Sequence, residues 1–552
     1  MRQLKYTENT FWDSAGKLWR LVLPDFAAIL LRCLLGLIRI AASLSFVWVC
    51  KVLVDMATGH GYGNISVYVA IMLGIMLIRC CDGLLASFWE GRMNVRSTVR
   101  MRAILFESVM RSRWNAKGDM HTGDTVNRIE TDVSVVADLI CTRIPEVLIT
   151  TLQLLAASCY LLSMSPKLMW LLIILMIVAV LGSRMFFRTT RRITMSIRRT
   201  ESEIQGYIQE NLLHRVVALT LSGIERVLVR LGEKQGNVVR DTEKRLGYSI
   251  VTRGFMSLGF AAGYASAFLW GIFGIRSGTV TFGMMTAFLQ LVGQIQNPMA
   301  NLSQHIPAFI HGLTSVDRIS ELMELPEETY GDPVPLDGVP GISVENVTYS
   351  YPDSDRKVID GFSCDFKPGA ITAITGETGA GKSTLIRLIL ALLHQDDGAI
   401  TIYDDNRKVP ASVDTRCNFM YVPQGNTMMS GTIRQNFLMS NPDATEEDML
   451  EALSCAAAGF VLSGADGLDA KCSEEGGGLS EGQAQRLSIA RALLHPGNIL
   501  ILDESTSALD PETERQVLGN LYLRCHGKKT VLFVSHRETV SQWADDVVHI
   551  GQ

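Results

Sequence analysis

The chain is 552 residues long and carries 51 basic and 56 acidic side chains, which gives a formal net charge of −5. That balance excludes a polycation that coats nucleic acid, and the chain is too apolar to be disordered. Hydrophobic residues make up 47% of the sequence, charged residues only 19%, and the mean hydropathy is +0.20. The apolar excess lies before about residue 315. The composition therefore predicts a membrane domain followed by a water-soluble α/β domain.

The chain contains 11 cysteines, and none of them lies in a Cys-x-x-Cys pair. Several fall inside apolar runs, and the adjacent Cys80 and Cys81 lack the spacing of metal ligands. This pattern favours buried thiols in reducing or lipid surroundings over disulfides or a metal site. The first apolar segment is too long for a cleaved signal peptide and carries Arg32 and Arg39. We therefore expect no signal peptide.

Six segments are apolar and long enough to cross a bilayer, which takes about 20 residues of helix. They lie at about 25–57, 65–90, 143–163, 168–188, 248–276 and 281–312. The turns after the first, third and fifth segments are short and poor in charge, whereas the stretches after the second and fourth are long and rich in arginine. Because basic residues favour the cytoplasmic side, we expect the long stretches and both termini to face the cytoplasm.

The long arginine-rich stretches keep a helical pattern, as at 193–210. We expect them to continue the spans as helices below the membrane and to close on short turns near 114–122 and 219–225. A linker over 326–340 is marked by four prolines: Pro326, Pro333, Pro335 and Pro340. It separates a predicted all-α membrane domain, 1–325, from a domain at 341–552. There, short β-type runs alternate with helical ones, which is typical of an α/β fold.

A phosphate-binding loop is predicted between a strand-like run at 370–375 and a helical stretch at 384–394. The sequence between them matches the pattern G-x-x-x-x-G-K-[ST]. The matching residues are Gly376, Glu377, Thr378, Gly379, Ala380, Gly381, Lys382 and Ser383, and Thr384 follows them in the site. The glycines allow backbone N–H groups to surround phosphate oxygens at a helix N-terminus. Lys382 is predicted to reach the β- and γ-phosphates of ATP, and the Ser383 hydroxyl to bind Mg²⁺.

A second acidic element lies about 120 residues further on, where an apolar run at 499–502 ends in Asp503 and Glu504. Asp503 suits the coordination shell of Mg²⁺, and Glu504 suits polarisation of the water that attacks the phosphate. A buried strand that ends at a solvated acidic turn has the same appearance when it stands alone. Paired with the phosphate loop, it favours a nucleotide hydrolase.

The residues between these two elements resemble the signature of ATP-binding cassette (ABC) ATPases. That signature covers 479–483 and includes Ser480, Gly482 and Gln483, with Glu481 in place of the commoner second glycine. The other family elements appear in their usual order along the chain, some before this signature and some after it. Tyr351 resembles the adenine-stacking aromatic residue, Gln424 the Q-loop, Glu474 the X-loop glutamate of exporters, Asp510 the end of the D-loop and His536 the switch histidine.

The membrane half also resembles this family, in its exporter-type half-transporters. Gly123, Asp124 and the following Arg128 and Asp132 resemble the segment after the second span, and the run 315–319 resembles the end of the sixth helix. The resemblance implies six spans fused to one P-loop NTPase domain. Few residues precede the first span and follow the last predicted strand, so we expect no peptidase domain before the spans and shortened C-terminal helices.

In this family, two cassettes enclose two ATP molecules head to tail. The resemblance implies that Glu504 and His536 are catalytic and that Ser383, Gln424 and Asp503 hold Mg²⁺. These residues of one chain would face Ser480 and Gly482 of the other. Function then requires a second half-transporter, and a homodimer is favoured over a heterodimer. The turns near 114–122 and 219–225 resemble coupling helices.

The cargo-binding surface is sought among polar side chains of the membrane domain. In the sixth span they recur at a spacing of four and three, which places them on one helical face: Gln290, Gln294, Asn297, Asn301, Gln304 and, further on, His311. Such a face either lines a cavity or bonds to a neighbouring helix. Arg39 and Asp82 lie at similar predicted depths in the membrane, on the first and second spans, and so do Arg32 and Glu90. We expect interhelical ion pairs, with a substrate-facing charge set as the alternative.

Other functions remain open at this point. A soluble cassette ATPase has no use for six spans, whereas an importer that uses the exporter fold and a gated channel with an ATPase regulator are closer rivals. The cargo could be a drug, lipid, peptide or metal chelate. The compact length suits a bacterial inner membrane. We expect the protein to be an ATP-driven exporter of an amphipathic substrate. We expect it to have no nucleic-acid partner.

Overall fold

The computed structural model describes residues 8–114, 122–184, 187–352, 356–377, 379–472, 478–535 and 538–550. The chain divides into two compact units. The first comprises Met1–Leu105 and Val126–Glu321, and the second comprises Phe106–Thr125 and Leu322–Gln552. The sequence assigned residues 106–125 to the membrane domain, but their described part belongs with the second unit. Backbone hydrogen bonds to the linker hold them there: Arg113 N–H donates to Pro326 O, and Glu328 N–H donates to Arg111 O.

The first unit is helical throughout its described residues, apart from short connecting turns. Its helices are α1 Glu8–Val22, α2 Phe26–Ala57, α3 Ile65–Arg111, α4 Thr122–Asn127, α5 Val133–Asp138, α6 Ile144–Met164, α7 Pro166–Arg184, α8 Phe187–Leu213, α9 Arg215–Thr220, α10 Ile224–Arg276 and α11 Phe282–Met323. A 3₁₀ turn, Leu23–Asp25, precedes α2, and π-helical turns Arg128–Asp132 and Leu139–Arg143 flank α5. The C-terminal ends of α3 and α11 and the first four residues of α4 belong to the second unit.

Four helical stretches among the described residues are long and apolar enough to cross a membrane: Gly16–Ala57, Ile65–Arg111, Gly123–Met164 and Ile224–Arg276. They contain the first, second, third and fifth predicted spans. The fourth and sixth predicted spans fall largely on α7 and α11, which are also helical. Large apolar side chains point outward from these helices, as at Leu84, which is 70% exposed. Lipid is the solvent that such a surface requires. Six spans and their orientation remain predictions.

The interior of the first unit is a contact between α2, α6, α7, α10 and α11. Phe288, which is fully buried, packs edge-to-face on Trp270 at 4.8 Å between ring centres. Small residues allow the helices to approach closely. A Cβ on Gly36 would collide with Ile149, and one on Gly271 would collide with Met285. Close approach through glycine is how helices associate where lipid supplies no hydrophobic drive.

One of the two predicted ion pairs forms. Arg32 donates to Glu90 at 2.7 Å, which ties α2 to α3 and confirms that prediction. The Arg39–Asp82 pair is wrong: Asp82 is 6% exposed, and neither of its carboxylate oxygens has a hydrogen-bond partner among the described residues. The two positions match in depth but not in direction. Seven residues separate Arg32 from Arg39, close to two full helical turns, whereas the eight from Glu90 back to Asp82 rotate the side chain by about 80°.

The two segments that resemble family motifs in the membrane half meet in the first unit. Ser315 donates to Asp132 at 2.8 Å, and Arg318 lies 3.0 Å from the same carboxylate. Arg128, in the adjoining π-helical turn, donates to the backbone of Arg318 and to Glu321 at 2.8 Å. These bonds tie the turn after α4 to the C-terminal end of α11.

The polar face of α11 divides according to burial. Asn297, Asn301 and His311 are exposed, Gln290 and Gln294 are half-buried, and the Gln304 side chain lies outside the described ones. The helix–helix bonds come from other positions that the sequence analysis missed. Gln296 donates to Phe260 O at 3.1 Å, and the buried His305 lies 3.9 Å from Glu146.

The second unit is an α/β domain that follows the linker. Its strands are β1 Gly341–Ser350, β2 Lys357–Phe366, β3 Ile371–Thr375, β4 Asp397–Tyr403, β5 Lys408–Pro410, β6 Phe419–Val422, β7 Gly431–Thr432, β8 Lys471–Cys472, β9 Ile499–Asp503, β10 Thr530–Val534 and β11 Asp546–His549. Its helices are α12 Lys382–Ile389, α13 Ile433–Leu438, α14 Glu446–Cys455, α15 Phe460–Ser463, α16 Glu481–Leu493, α17 Pro511–Cys525 and α18 Glu538–Ser541, with 3₁₀ turns Asp414–Asn418 and Gly467–Asp469.

Two main sheets organise this domain. The first is antiparallel in the order β2-β1-β4-β5, and the second is parallel in the order β11-β3-β10-β9-β6. Every residue of β9 and β10 is buried, as expected for strands covered on both faces. Because all strands of the second sheet run the same way, their carboxyl ends lie along one edge. Candidate site residues follow β3, β6 and β9 at that edge.

Candidate nucleotide site

The loop between β3 and α12 has the backbone that its glycines predict. Positive φ angles occur at Gly376 (153°), Gly379 (84°) and Gly381 (102°). A Cβ on Gly376 would collide with the carbonyl oxygen of Ile550. Only glycine fits that position without strain, and the loop leads directly into the N-terminus of α12. Backbone N–H groups at such a terminus bind anions.

Lys382, the first residue of α12, folds its side chain over this loop. Its ammonium donates to the carbonyl oxygens of Gly376 and Glu377, at 2.9 Å in both cases. Lys382 is 5% exposed. Burial lowers the pKa of the ammonium, and the negative charges of Glu504 and Asp503 act in the opposite direction. The cation is therefore held where the phosphates of a nucleotide would lie.

Asp503 and Ser383 form a compact pair of oxygen donors. Asp503 ends β9 and is 3% exposed, and its carboxylate lies 3.5 Å from the Ser383 hydroxyl. Burial raises the pKa of the Asp503 carboxyl, and the hydrogen bond from Ser383 opposes that shift. A carboxylate and a hydroxyl are ligands that Mg²⁺ prefers, and the buried charge needs a cation to compensate it. These two residues fit the metal.

Glu504 and Gln424 meet at the same edge of the sheet. Gln424 Nε2 donates to the Glu504 carboxylate at 2.7 Å, and Glu504 N–H donates to Val534 O at 3.0 Å. Glu504 has φ 49°, in the left-handed region. The structure thus brings together the side chains that follow β6 and β9, as the predicted site requires.

The signature segment begins helix α16. The Ser480 hydroxyl caps this helix by accepting from Gln483 N–H at 3.2 Å, and Ser480 N–H donates to the side-chain oxygen of Gln483 at 2.9 Å. Gln485 lies on the same helix. Its side-chain oxygen accepts from Ala508 N–H, and its side-chain nitrogen donates to the Ser507 hydroxyl. Among the described residues, no hydrogen bond joins Ser480 or Gly482 to the phosphate loop of the same chain.

Asp510 ends the adjoining D-loop and directly precedes α17 as its N-cap. Its carboxylate accepts from Glu512 N–H and Thr513 N–H at 3.2 and 3.0 Å. These bonds, with that from Thr513 the strongest, lower the pKa of Asp510. Asp510 therefore acts within this chain as a helix cap. A role of Asp510 in binding nucleotide remains a prediction.

Tyr351 follows β1 and lies beside α12. Its hydroxyl is 3.1 Å from the Thr384 hydroxyl and accepts a hydrogen bond from Arg387 at 3.4 Å. Its ring packs edge-on against Tyr349 at 5.2 Å. The predicted adenine side of the site is thus connected to the phosphate loop through α12. The predicted residues Thr378, Glu474 and His536 lie outside the described residues.

The helix after the phosphate loop is shorter than the sequence predicted. It ends at Ile389 rather than near 394. Ala391, two residues later, has φ 50°, which ends the helical backbone. Sequence reasoning also missed Arg387, which belongs to no motif.

Comparisons with known proteins match both halves of the chain. The ABC transporter transmembrane region model matches residues 26–299, and the ABC transporter model matches residues 359–507. An ATP-dependent lipid A-core flippase of Pseudomonas fluorescens is 30% identical over 499 residues, which cover 88% of this chain and 81% of that protein. The chain belongs to the ABC transporter family. As an exporter-type ABC transporter, it is a membrane ATPase that couples ATP hydrolysis to export.

Other ABC transporters are similar over nearly the whole chain. A putative multidrug export ATP-binding/permease protein of Bacillus subtilis is 25% identical over 540 residues, 96% of this chain and 93% of that protein. The solved structure of a bacterial Atm1-family ABC exporter with ATP bound has a TM-score of 0.79 at 21% identity. It covers 96% of this chain and 94% of that one, and it shows that the fold is shared. The predicted fold class is confirmed.

Proposed function

We propose that two copies of this chain form a homodimeric exporter that hydrolyses ATP at two shared sites and exports an amphipathic substrate. The observation that supports a shared site is the separation of the two halves within one chain. Ser383 and Asp503 meet at one edge of the parallel sheet, whereas Ser480 bonds only within its own segment among the described residues. A second copy would bring its Ser480 and Gly482 to the phosphate loop of the first.

Each residue of the proposed site has its own role in binding or hydrolysis of ATP. Lys382 and the loop N–H groups bind the phosphates, and Tyr351 stacks on the adenine. Glu504 orients and polarises the attacking water, and Gln424, which holds the Glu504 carboxylate at 2.7 Å, sets its direction. His536 would contact the γ-phosphate. Mg²⁺, held by Ser383, Asp503 and Gln424, would neutralise charge that develops on the phosphates.

The turn after α8 supports a second copy as the partner. Leu213 is 79% exposed and Val216 is 71% exposed. About 24 residues of α10 separate this turn from the predicted span that begins at 248, a distance of about 36 Å. Lipid cannot cover apolar side chains at that distance from the bilayer. A protein surface must do so, and the second copy is the partner that the shared site already requires.

The polar face of α11 supports an amphipathic cargo. Asn297, Asn301 and His311 are exposed in one chain although they lie on a predicted span. Polar groups within a membrane face protein or water, so a cavity between two copies would contain them. Amides surrounded by apolar helices suit a substrate that has both polar and apolar parts. Lipid-like, drug-like and peptide substrates all meet that description.

The test is ATP turnover by the full chain, purified alone and reconstituted in lipid nanodiscs, beside Glu504→Gln. Turnover in the wild type that disappears in the variant, with two chains per particle by native mass spectrometry, is expected. Inactive wild type that still binds ATP would show that a different second half is needed. Turnover that survives in Glu504→Gln would contradict the role of Glu504.

Cargo is then sought as stimulation of that turnover by amphipathic compounds. Asn301→Leu should weaken stimulation and leave basal turnover unchanged, whereas Asn301→Gln should preserve both. Equal stimulation in all three proteins would remove α11 from the cargo surface.

A further inference from the structure

Arg387 on α12 contacts two parts of the second unit at once. Its guanidinium carbon lies 5.0 Å from the ring centre of Trp114, just beyond the end of α3, in a cation–π arrangement. The same guanidinium donates to the Tyr351 hydroxyl at 3.4 Å. One cation therefore joins the proposed adenine-stacking tyrosine to a residue at the start of the predicted turn near 114–122.

Contacts with α12 help to set the direction of the Tyr351 ring, which also packs against Tyr349. Its hydroxyl has two neighbours on that helix, Thr384 at 3.1 Å and Arg387 at 3.4 Å. Loss of the Arg387 bond would leave the hydroxyl tied at one point only. The ring could then rotate away from the position in which it stacks on adenine.

A second contact fixes the end of α3 against the same helix. Glu328 of the linker, whose N–H donates to Arg111 O, forms a two-bonded ion pair with Arg416 at 2.7 and 2.8 Å. Arg416 also donates to Leu390 O and Ala391 O, directly after the end of α12. The segment that carries Trp114 is therefore held beside α12 independently of Arg387.

We propose that Arg387 is a positioning residue that orients Tyr351 for adenine and makes ATP affinity depend on its contact with Trp114. The inference rests on the nucleotide site proposed above. Trp114 is 44% exposed and contributes little to a core, so a purely structural role predicts no effect on nucleotide affinity. Because coupling is reciprocal, ATP binding also changes the stability of the end of α3.

The first experiment measures the Kd for ATP in the full-length Glu504→Gln chain in nanodiscs, so that the readout does not depend on turnover. Trp114→Leu should raise the Kd about threefold, or about 0.6 kcal/mol. Trp114→Phe keeps an aromatic ring and should stay close to the parent chain. In the chain with Glu504 intact, Trp114→Leu should raise KM for ATP and leave kcat unchanged.

A double-mutant cycle tests whether the effect passes through Tyr351. In a Tyr351→Leu background, Trp114→Leu should add nothing to the increase in Kd, because the ring to be positioned is gone. Hydrogen exchange of residues 106–114 should change on addition of ATP, and Arg387→Gln should remove that change.

Three results would overturn the inference: an unchanged Kd in Trp114→Leu, an equal increase in Trp114→Phe, or additive effects of Trp114→Leu and Tyr351→Leu. Each of these leaves ATP binding by the parent chain intact. Loss of ATP binding by the parent chain would instead contradict the proposed function. The two failures are therefore distinguishable.

Discussion

The ion pair between Glu328 and Arg416 should determine how firmly the linker and the end of α3 are held on the nucleotide-binding domain. The two side chains are 8% and 25% exposed, and two charge-assisted hydrogen bonds join them. Glu328→Gln removes the negative charge and one strong acceptor. Arg416 keeps its bonds to Leu390 O and Ala391 O, so the cost falls below the 3–5 kcal/mol of a fully orphaned buried charge. We expect a loss of about 2 kcal/mol.

Local hydrogen exchange in the full-length protein measures this loss. Glu328 N–H and Arg113 N–H bond to Arg111 O and Pro326 O, so both amides report opening of the contact. A loss of about 2 kcal/mol corresponds to exchange that is about 30-fold faster at these amides. Glu345→Gln breaks a comparable but exposed pair with Lys408 and is the matched control, with no expected change at either amide. Unchanged exchange in Glu328→Gln would refute the idea that this ion pair holds the linker.

Hydrogen bonds from Arg416 hold the pKa of Glu328 below its ordinary 4.5. The stability that Glu328 gives to the linker contact should therefore persist above pH 4.5 and disappear as the pH falls through the lower, folded-state pKa. Exchange at the same two amides measures this, and a loss that begins near neutral pH would contradict the assignment. Gly376→Ala should abolish ATP binding, because its Cβ would collide with Ile550 O. The control is Gly74→Ala in α3, where an added Cβ has nothing within 4 Å, and this variant should bind ATP normally in the same assay. Binding by both variants would contradict the steric argument. Asp82→Asn should give at least the wild-type yield of folded protein, because it removes a buried charge that has no hydrogen-bond partner among the described residues. Glu90→Gln should lower the yield, because it breaks the bond to Arg32. Size-exclusion chromatography measures both yields, and the reverse order would contradict both assignments.

The residues of the nucleotide site could be predicted because each belongs to a short local pattern. Gly376, Lys382 and Ser383 are contiguous, and the backbone they need is set by the glycines among them. Asp503 and Glu504 end a fully buried strand, which an apolar run reveals directly. The parallel sheet then brings the two patterns to one edge, a consequence of topology rather than of any single residue. The family comparisons support the class of protein, while the individual roles remain proposals.

The contacts that could not be predicted join residues far apart in the sequence. Trp114 and Arg387 carry no periodic or spaced signal, since an exposed tryptophan after a helix and an arginine on another helix are common features. The Arg39–Asp82 error has a different cause. Depth along two helices follows from counting residues, but direction around them changes by about 100° per residue. A difference of one residue in spacing was enough to separate the predicted partners.

The left-handed backbone at Glu504 has a consequence for how such chains diverge. At φ 49°, a side chain with a Cβ costs about 1 kcal/mol relative to glycine. Backbone strain alone therefore favours glycine at this position, and the proposed role of Glu504 in turnover is a reason for a glutamate to be kept there. A descendant that lost the carboxylate would keep its fold and its neighbouring strands intact. Silent ATP sites can arise in this way through single substitutions, because relief of the backbone strain offsets part of the lost bond from Gln424.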